Sequence, residues 1–264
     1  MLRTSLLLLF VFFIVSLTAQ DAAVAWYCPP CNSTCDDIVF EKAGHCPHCN
    51  MELLRQTAEQ RAMTLKIRDM TIGFYLQDGV EVLDFAGPME VFSYAGFNVI
   101  TIAKTRDPIK SQGILSIIPD YSIADAPAVD VLAFFGGGGA WREARNADII
   151  AWIKGQKDVK YHFSVCTGAF FLGEAGLLDG HQATTFHSAI DDLRERFPKA
   201  TVLSGVRYVD NGQVITTAGI SAGIDGALHF VQKFAGEDAA SRIAENMEYD
   251  KWRPNEGLVV KSEK

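Results

Sequence analysis

Residues 161–180 read YHFSVCTGAFFLGEAGLLDG and join an apolar, strand-like run to a helical, glycine-containing one. The run Tyr161–Val165 has the length and composition of a buried strand, and residues 168–175 have those of a helix. Cys166 lies at the junction, apart from the other five cysteines, which all fall between residues 28 and 49. A strand that leads directly into a helix is the repeating unit of α/β proteins, so this stretch predicts a parallel sheet.

The same alternation extends on both sides of this stretch. Further strands are predicted at 72–76, 98–103, 115–118 and 129–135, and further helices at 84–95, 141–155, 188–197 and 221–234. Asn211 and Gly212 separate two β-rich runs and predict a hairpin. The expected fold is α/β, with a doubly wound, mostly parallel sheet whose ligands collect at the carboxyl ends of its strands.

Cys166 is a candidate nucleophile because of its position. A thiol between a strand and a helix N-terminus feels the positive end of the helix dipole. This placement can lower a thiol pKa from about 8.5 to about 3.5–7.5. The alternative is an inert cysteine, since cysteine is among the most buried residue types.

A carboxylate and a glycine run accompany it. Asp84 interrupts the apolar stretch VEVLDFAGPMEVF near a predicted helix start, as either an N-cap or a group held for proton transfer. Four glycines follow Phe135, and the N–H groups of Gly137 and Gly138 could bind a developing negative charge. A flexible loop is the alternative for the glycines, and their spacing is not that of a dinucleotide-binding loop.

The N-terminal cysteines form two similar units, Cys28-Pro-Pro-Cys31-Asn32 and Cys46-Pro-His48-Cys49-Asn50. Two C-x-x-C turns predict a small ribbon in which Cys28, Cys31, Cys46 and Cys49 bind zinc or another soft heavy metal. Structural disulfides are an alternative in an exported protein. A thioredoxin-like redox site is another, although the strand, long helix and domain size that it needs are missing here.

The ends and the charge of the chain bear on location and partners. Residues 1–19 combine Arg3 with an apolar core at 6–15, too short for the roughly 20 residues of a membrane span, and predict a cleaved signal segment. The net charge of −8, with no basic run, speaks against nucleic acid. The expected protein is therefore exported, periplasmic or secreted, and meets the membrane only through its signal segment.

Several longer motifs together resemble one known family. They are VLDFAGPMEVF, VDVLAFFGGGG, SVCTGAFFLGEAGLLDGHQATTFH, GVRYVDNGQVITTAGISAGIDGALHFV and EYDKW, spread over residues 82–252. They resemble the PfpI superfamily of the class I glutamine amidotransferase-like, flavodoxin-like fold, in its isonitrile hydratase-like branch. The segment AGHCPHCNMELL also resembles heavy-metal-binding modules of bacterial efflux proteins, with Asn50 in place of their glycine.

The resemblance implies roles for particular residues. Cys166 matches the reactive cysteine, Asp84 its acidic partner, and Thr167 the residue after the cysteine in isonitrile hydratases. Peptidase-type members have His in place of Thr167, so peptidase activity is not expected. The histidine that follows the threonine pair in many relatives is displaced here by Phe186, which makes His187 a candidate substrate-binding or merely structural residue.

The expected function is cysteine-dependent hydration or hydrolysis of a small molecule, with no cofactor needed for catalysis. The alternative is a non-catalytic ligand, metal or redox sensor on the same scaffold. The resemblance also implies a homodimer. The expected organisation is a signal segment at 1–19, a ribbon at 20–54, a spacer at 55–66, the main domain at 67–252 and a charged tail at 253–264.

Overall fold

The computed structural model describes residues 24–30 and 33–261. The predicted signal segment at 1–19 and Cys31 lie outside these residues. Among the described residues, no helix has both the length and the apolar character needed to cross a membrane.

The cysteine-rich segment folds as a small ribbon. Its antiparallel strands are β1 (Val24–Tyr27), β2 (Val39–Phe40) and β3 (Leu54–Thr57), in the order β2-β1-β3. A 3₁₀ turn at Thr34–Asp37 lies between β1 and β2. The ribbon is thus closed by β3, which pairs with β1 along its whole length.

Residues 55–66, expected as a spacer, complete this sheet and then form most of helix α1 (Ala58–Arg68). The hydroxyl of Thr57 accepts a hydrogen bond from the backbone N–H of Gln60, and the Gln60 side chain accepts one from the Thr57 N–H. This reciprocal cap satisfies two otherwise unpaired donors and fixes the helix start.

The main domain alternates strands and helices as predicted. Its strands are β4 (Thr71–Tyr75), β5 (Asn98–Ala103), β6 (Ile109–Ser111), β7 (Leu115–Ile117), β8 (Tyr121–Ser122), β9 (Val131–Phe134), β10 (Tyr161–Val165), β11 (Gln182–Ala183), β12 (Thr201–Val202), β13 (Tyr208–Asp210), β14 (Val214–Thr217) and β15 (Leu258–Val259). Its helices are α2 (Val82–Ala95), α3 (Ala140–Glu143), α4 (Ala147–Gly155), α5 (Ala169–Glu174), α6 (Ile190–Arg196), α7 (Ala222–Ala235) and α8 (Glu237–Asn246).

The central sheet has eight strands in the order β15-β13-β14-β10-β9-β4-β5-β8. All neighbours are parallel except β13 and β14, which form the hairpin predicted at Asn211-Gly212. The doubly wound, mostly parallel α/β fold is therefore confirmed.

The strand predicted at 115–118 does not join the central sheet. β7 pairs instead with β6 in a separate hairpin. Gln112, Gly113 and Ile114 connect the two strands, and the first two have positive φ, 47° and 74°. Two successive residues with positive φ are typical of the tight turns that match the twist of the flanking strands. β7 therefore pairs with β6 in a local hairpin and not with a strand of the central sheet.

Successive side chains along the strands pack alternately into two hydrophobic cores. Phe74 belongs to the core beneath α1, α2, α7 and α8, whereas its neighbour Tyr75 belongs to the core beneath α3, α4, α5 and α6. In the first core Phe92 of α2 makes edge-to-face contacts with Phe74, Phe163 and Phe230. These contacts fix α2, and with it the position of Asp84 in its first turn.

The ribbon packs against the end of α2. Gly96, which ends this helix with φ 89°, lies so close to Pro30 that a Cβ on Gly96 would be 2.5 Å from the Pro30 Cβ. Arg68 of α1 also pairs with Asp37 of the ribbon at 3.0 Å. Helix α2 therefore carries Asp84 at one end and supports the ribbon at the other.

Candidate active site and metal centre

Cys166 lies on a strained turn at the carboxyl end of β10. It is a non-glycine residue with φ 60°, a conformation that costs an L-residue about 1–2 kcal/mol. Its backbone N–H donates to the Ala218 carbonyl at 3.1 Å, and its carbonyl accepts from the Thr185 hydroxyl at 2.7 Å. These bonds hold the strained backbone, as expected where strain is used to present a side chain.

Glycines on three neighbouring segments make room for this turn. A Cβ on Gly136 would lie 2.7 Å from the Cys166 Sγ, and one on Gly168 would lie 2.2 Å from the Phe134 carbonyl oxygen. A Cβ on Gly219 would lie 3.3 Å from the same sulfur. The thiol is therefore enclosed by backbone after β9 and β14, and only 6% of the residue is exposed.

Asp84 is fully buried and is held by two backbone donors. The N–H of Gly136 donates to its Oδ2 and the N–H of Ile220 donates to its Oδ1, each at 2.9 Å. The Cys166 thiol lies close enough to this carboxyl group for each of the two to shift the pKa of the other. Helix α2 begins at Val82 after Glu81, so Asp84 is not its N-cap, and the second interpretation, a carboxylate held for proton transfer, fits the geometry.

Burial raises the pKa of Asp84 to about 6, even though the N–H groups of Ile220 and Gly136 and the Cys166 thiol lower it; the charge of Glu81 raises it further. A carboxyl group whose pKa lies near neutrality can both accept and return a proton under physiological conditions. Asp84 therefore has the properties of a general acid and base.

The expected lowering of the Cys166 pKa is wrong for this structure. Burial raises the pKa of the thiol, and the Asp84 carboxylate raises it further, whereas the N–H and hydroxyl of Thr167 lower it. Helix α5 has six residues and is separated from the thiol by the 3₁₀ turn Cys166–Gly168, so its dipole cannot outweigh burial beside a carboxylate. The thiol thus depends on Asp84 to remove its proton.

Of the predicted anion-binding groups, Thr167 lies beside the sulfur. Its hydroxyl oxygen is buried and makes no hydrogen bond to oxygen or nitrogen of the described residues. Gly137 instead forms a bridge with Val80, and a Cβ on Gly138 would meet no atom within 4 Å. Within the run of four glycines, the one that contacts Cys166 is Gly136, and its N–H already donates a hydrogen bond to Asp84.

His187 lies away from the thiol in an exposed position and packs its ring against Phe186, with centroids 4.3 Å apart. The Phe186 ring, in contrast, lies 2.3 Å from a Cβ built on Gly219, beside the sulfur. The inserted Phe186 therefore occupies the neighbourhood of the nucleophile, and among the described residues no histidine forms a hydrogen bond with Cys166 or Asp84.

Several residues of the site are not evident from sequence. Ile220 supplies a donor through its backbone, and Thr185 anchors the turn through its hydroxyl. Phe186 and Gly219 enclose the sulfur. Only the glycines leave a signal, because a glycine next to a predicted nucleophile indicates close backbone approach.

The ribbon gathers four cysteine sulfurs at one point. The Sγ atoms of Cys28, Cys35, Cys46 and Cys49 all lie within 4.8 Å of one another. Cys28 Sγ is 3.2 Å from Cys49 Sγ and 3.7 Å from Cys35 Sγ. A tetrahedral zinc site with 2.3 Å bonds has sulfur–sulfur edges of about 3.8 Å, so this cluster fits a metal ion with little movement.

Cys35 takes a place in this cluster, whereas the predicted ligand Cys31 lies outside the described residues. Three of the four residues are buried, and Cys49 is partly exposed. Burial opposes the charge of Cys46, but the backbone N–H groups of Cys49 and His48 lower its pKa to about 6. A thiolate prepared in this way is the form that binds a metal.

Residues 70–233, more than half of the chain, match the model of the DJ-1/PfpI family. The chain belongs to the DJ-1/PfpI family. Residues 25–55 of this family member match the model of a heavy metal binding domain. The predicted superfamily and the metal-binding character of the ribbon are thereby supported independently of the site geometry.

Among curated relatives of this DJ-1/PfpI protein, isonitrile hydratase of Pseudomonas putida is 36% identical over 182 residues, which is 68% of this chain and 78% of the relative. The HTH-type transcriptional regulator GbdR of Pseudomonas aeruginosa is 25% identical over 190 residues, 69% of this chain and 52% of the regulator. The match therefore spans about half the length of that regulator. The family includes both enzymes and regulators.

Solved structures agree on the fold. A ThiJ/PfpI family protein from Pseudomonas syringae is 33% identical, with a TM-score of 0.65 over 70% of this chain and 77% of its own. DJ-1beta of Drosophila melanogaster superposes with a TM-score of 0.60 over 68% of this chain and 97% of its own. At 20% identity the latter shows the fold alone.

Proposed function

We propose that this protein is an exported, cysteine-dependent hydratase of a small molecule, acting on an isonitrile or a related carbon electrophile. The observation that carries the proposal is the pairing of Cys166 with Asp84. A buried thiol lies beside a buried carboxyl group whose pKa is about 6, each group shifts the pKa of the other, and backbone donors fix the carboxyl group. The 36% identity to isonitrile hydratase supports the choice of substrate class.

In the first step Asp84 takes the proton of the Cys166 thiol, and the sulfur attacks the terminal carbon of the isonitrile R–N≡C. The carbon–sulfur bond forms, and Asp84 delivers the proton to the same carbon, which gives the thioimidate R–N=CH–S–Cys166. Net charge is unchanged, because thiol plus carboxylate becomes thioether plus carboxylate. Moving the proton within a fixed pair avoids separating charge in a buried site.

In the second step Asp84 accepts a proton from water as the water oxygen adds to the thioimidate carbon. The carbon–sulfur bond then breaks, the sulfur recovers a proton from Asp84, and the nitrogen gains the other hydrogen of the water. The product is the N-substituted formamide R–NH–CHO, so one water is consumed and the enzyme is restored. The buried hydroxyl of Thr167, beside the sulfur, is the donor proposed to stabilise charge that develops there.

The test is formamide production from an alkyl and an aryl isonitrile, followed by NMR in H₂¹⁸O so that oxygen from water is traced into the product. Cys166→Ser should abolish turnover. Asp84→Asn should lower kcat/KM by about 10²–10⁴-fold, the usual effect of removing a general acid or base. An adduct on Cys166 of the mass of the isonitrile, trapped by acid quench, would identify the thioimidate. Turnover that survives Cys166→Ser would refute the proposal.

A sensor is the second candidate, and the burial of the thiol favours it. With 6% of Cys166 exposed and the pKa of its thiol raised, the unliganded site is poorly suited to reaction with bulky molecules. The regulator GbdR matches a similar share of this chain, 69% against 68% for isonitrile hydratase. Saturable binding of a small molecule near Cys166, without chemical change of that molecule, would favour the sensor over the hydratase.

The ribbon is proposed to hold one zinc ion, or another soft heavy metal, through four thiolates. Four sulfurs at tetrahedral spacing favour a structural site with no open position, so the metal stabilises the ribbon and takes no part in hydration. The proposed export and homodimer rest on residues 1–19 and on the family resemblance. N-terminal sequencing of protein from the cell envelope and light scattering would test them.

A further inference from the structure

The loop 218–221, between β14 and α7, contacts both residues of the candidate pair. The backbone N–H of Ile220 donates to Asp84 at 2.9 Å, and a Cβ on Gly219 would lie 3.3 Å from the Cys166 sulfur. Ile220 has φ 57°, a conformation that a β-branched residue rarely adopts. Strained residues of this kind persist only where the surrounding structure holds them. The loop therefore needs anchors at its ends.

Arg207 supplies an anchor at each end of this loop. Its backbone carbonyl accepts a hydrogen bond from the N–H of Ala218 at 2.9 Å, and its Nη2 donates to the hydroxyl of Ser221 at 3.3 Å. Ser221 directly precedes α7, where a serine often caps the helix, but its side chain makes no capping hydrogen bond. The Ser221 hydroxyl instead serves as an acceptor for Arg207.

The guanidinium group of Arg207 is itself held in place. Its Nε donates to Oδ2 of Asp225 at 2.6 Å, and its Nη2 donates to the same oxygen. The Tyr249 hydroxyl donates to Oδ1 of Asp225 at 3.1 Å. Asp225 is buried and lies in the first turn of α7. Because a guanidinium group is a planar fork with fixed donor directions, this ion pair joins the start of β13 to the start of α7 in one geometry.

We propose that Arg207 is a positioning residue of the hydratase proposed above: it holds both ends of the loop 218–221, so that Ile220 directs its N–H at Asp84. The inference rests on the proposed function for its effect on turnover, whereas the effect on Asp84 can be measured without a substrate. The Ile220 N–H lowers the pKa of Asp84, so loss of the anchor should raise that pKa. The expected rise is about one pH unit, the effect of one hydrogen bond to a carboxylate.

The test is the pKa of Asp84 in the metal-loaded protein, measured from the pH dependence of its carboxyl ¹³C signal, which Asp84→Asn identifies. Arg207→Met combined with Asp225→Leu removes the ion pair and leaves the net charge unchanged. Replacing a buried ion pair with apolar residues is often neutral for stability. Cys166 and Glu81, the titratable groups that shift the pKa of Asp84, are kept. In this double variant the pKa of Asp84 should rise by about one pH unit.

The control is Arg196→Met combined with Glu174→Leu, which removes a partly buried ion pair between α6 and α5. It should leave the pKa of Asp84 unchanged. An unchanged pKa in the Arg207 double variant, or the same rise in the control, would overturn the proposal. If the Arg207 double variant does not fold, Ser221→Ala, which removes the hydroxyl that Arg207 contacts, should raise the pKa of Asp84. An unchanged pKa in Ser221→Ala would then overturn the proposal.

Turnover separates this inference from the proposed function. If the wild type hydrates isonitriles, the midpoint of its kcat/KM against pH should move upward in the Arg207 double variant together with the pKa of Asp84. If the wild type hydrates none, the proposed function fails, and the titration of Asp84 still decides whether Arg207 positions the loop.

Discussion

The backbone N–H of Ile220 lies 2.9 Å from Oδ1 of Asp84, and Ile220 adopts φ 57° to place it there. A β-branched residue rarely adopts this conformation, since its Cβ crowds the following carbonyl. Cys166 has nearly the same φ, 60°, on the other side of the carboxyl group. The acid and the nucleophile are therefore aligned by two strained backbone positions, which is where strain is expected in a working site.

Replacing Ile220 with glycine should relieve this strain while keeping the N–H. The gain of about 1–2 kcal/mol from the relaxed φ should outweigh the greater chain entropy of glycine, about 0.5–1 kcal/mol. We expect the free energy of unfolding of Ile220→Gly to equal or slightly exceed that of wild type in urea titrations. The comparison change Ile118→Gly, at an isoleucine without positive φ that is 73% exposed against 37% for Ile220, should destabilise even though it removes less buried surface. A larger loss for Ile220→Gly than for Ile118→Gly would contradict the assignment of strain.

The rate of hydration should depend on the protonation of Asp84. The carboxylate form is needed to take the thiol proton, so kcat/KM should rise with pH through about 6, the pKa of Asp84, and then level off. In Asp84→Asn this rise should disappear. A rise centred well above pH 8 would instead show that the thiol ionises without help from Asp84.

The free energy of unfolding should also depend on the protonation of Asp84. Burial raises the pKa of Asp84 from 3.8 to about 6, so the folded state holds the proton more tightly than the unfolded chain. Its contribution is present below pH 3.8, declines as pH rises to about 6, and is constant above that value. The difference between the two pKa values of Asp84 corresponds to a change of roughly 3 kcal/mol in the free energy of unfolding.

Asp84→Asn has no such group, so its stability relative to wild type should increase by roughly 3 kcal/mol between about pH 3 and pH 7. Denaturant titrations of the two proteins at several pH values measure this. A difference that does not change with pH would show that the carboxyl group has an ordinary pKa in the folded state.

Gly136 should accept no side chain. In Gly136→Ala the new Cβ would lie 2.7 Å from the Sγ and Cβ of Cys166 and from the Thr167 hydroxyl, so the thiol must move away from Asp84. We expect loss of turnover and a destabilisation of about 1–3 kcal/mol, typical of overpacking. The control is Gly155→Ala at the end of α4, where a Cβ meets no atom within 4 Å. Equal behaviour of the two variants would contradict the close approach.

The metal ligands can be assigned by serine substitution. Cys28→Ser, Cys35→Ser, Cys46→Ser and Cys49→Ser should each lose most of the one bound metal ion per chain, whereas Cys31→Ser should retain it. Cobalt substitution gives a second readout, because four thiolates produce intense sulfur-to-metal absorption that one serine weakens. Retention of metal in Cys35→Ser with loss in Cys31→Ser would restore the ligand set expected from the two C-x-x-C units.

The fold can be predicted from the sequence because short apolar runs alternate with helical patterns. The same alternation places Cys166 at the end of a strand. The apolar composition of residues 115–118 predicts a strand of the sheet, but it does not reveal that Gln112 and Gly113 turn this segment back on β6. Local turn geometry outweighed hydrophobic pattern at this point.

The candidate site was only partly predictable. Cys166 and Asp84 are visible as a thiol and a carboxylate in apolar surroundings, and the structure places them in contact. The donors that hold Asp84 are backbone N–H groups of Gly136 and Ile220, which any residue except proline could supply. The direction of the Cys166 pKa was missed because position at a helix start is a sequence property, whereas burial beside a carboxylate is a tertiary one.

The contact between Gly96 and Pro30 also constrains how this two-module protein can change over evolutionary time. In this chain any side chain at position 96 would strike Pro30 and separate the modules. The approach to Pro30 is therefore a second requirement for glycine at position 96, beside the positive φ with which this residue ends α2.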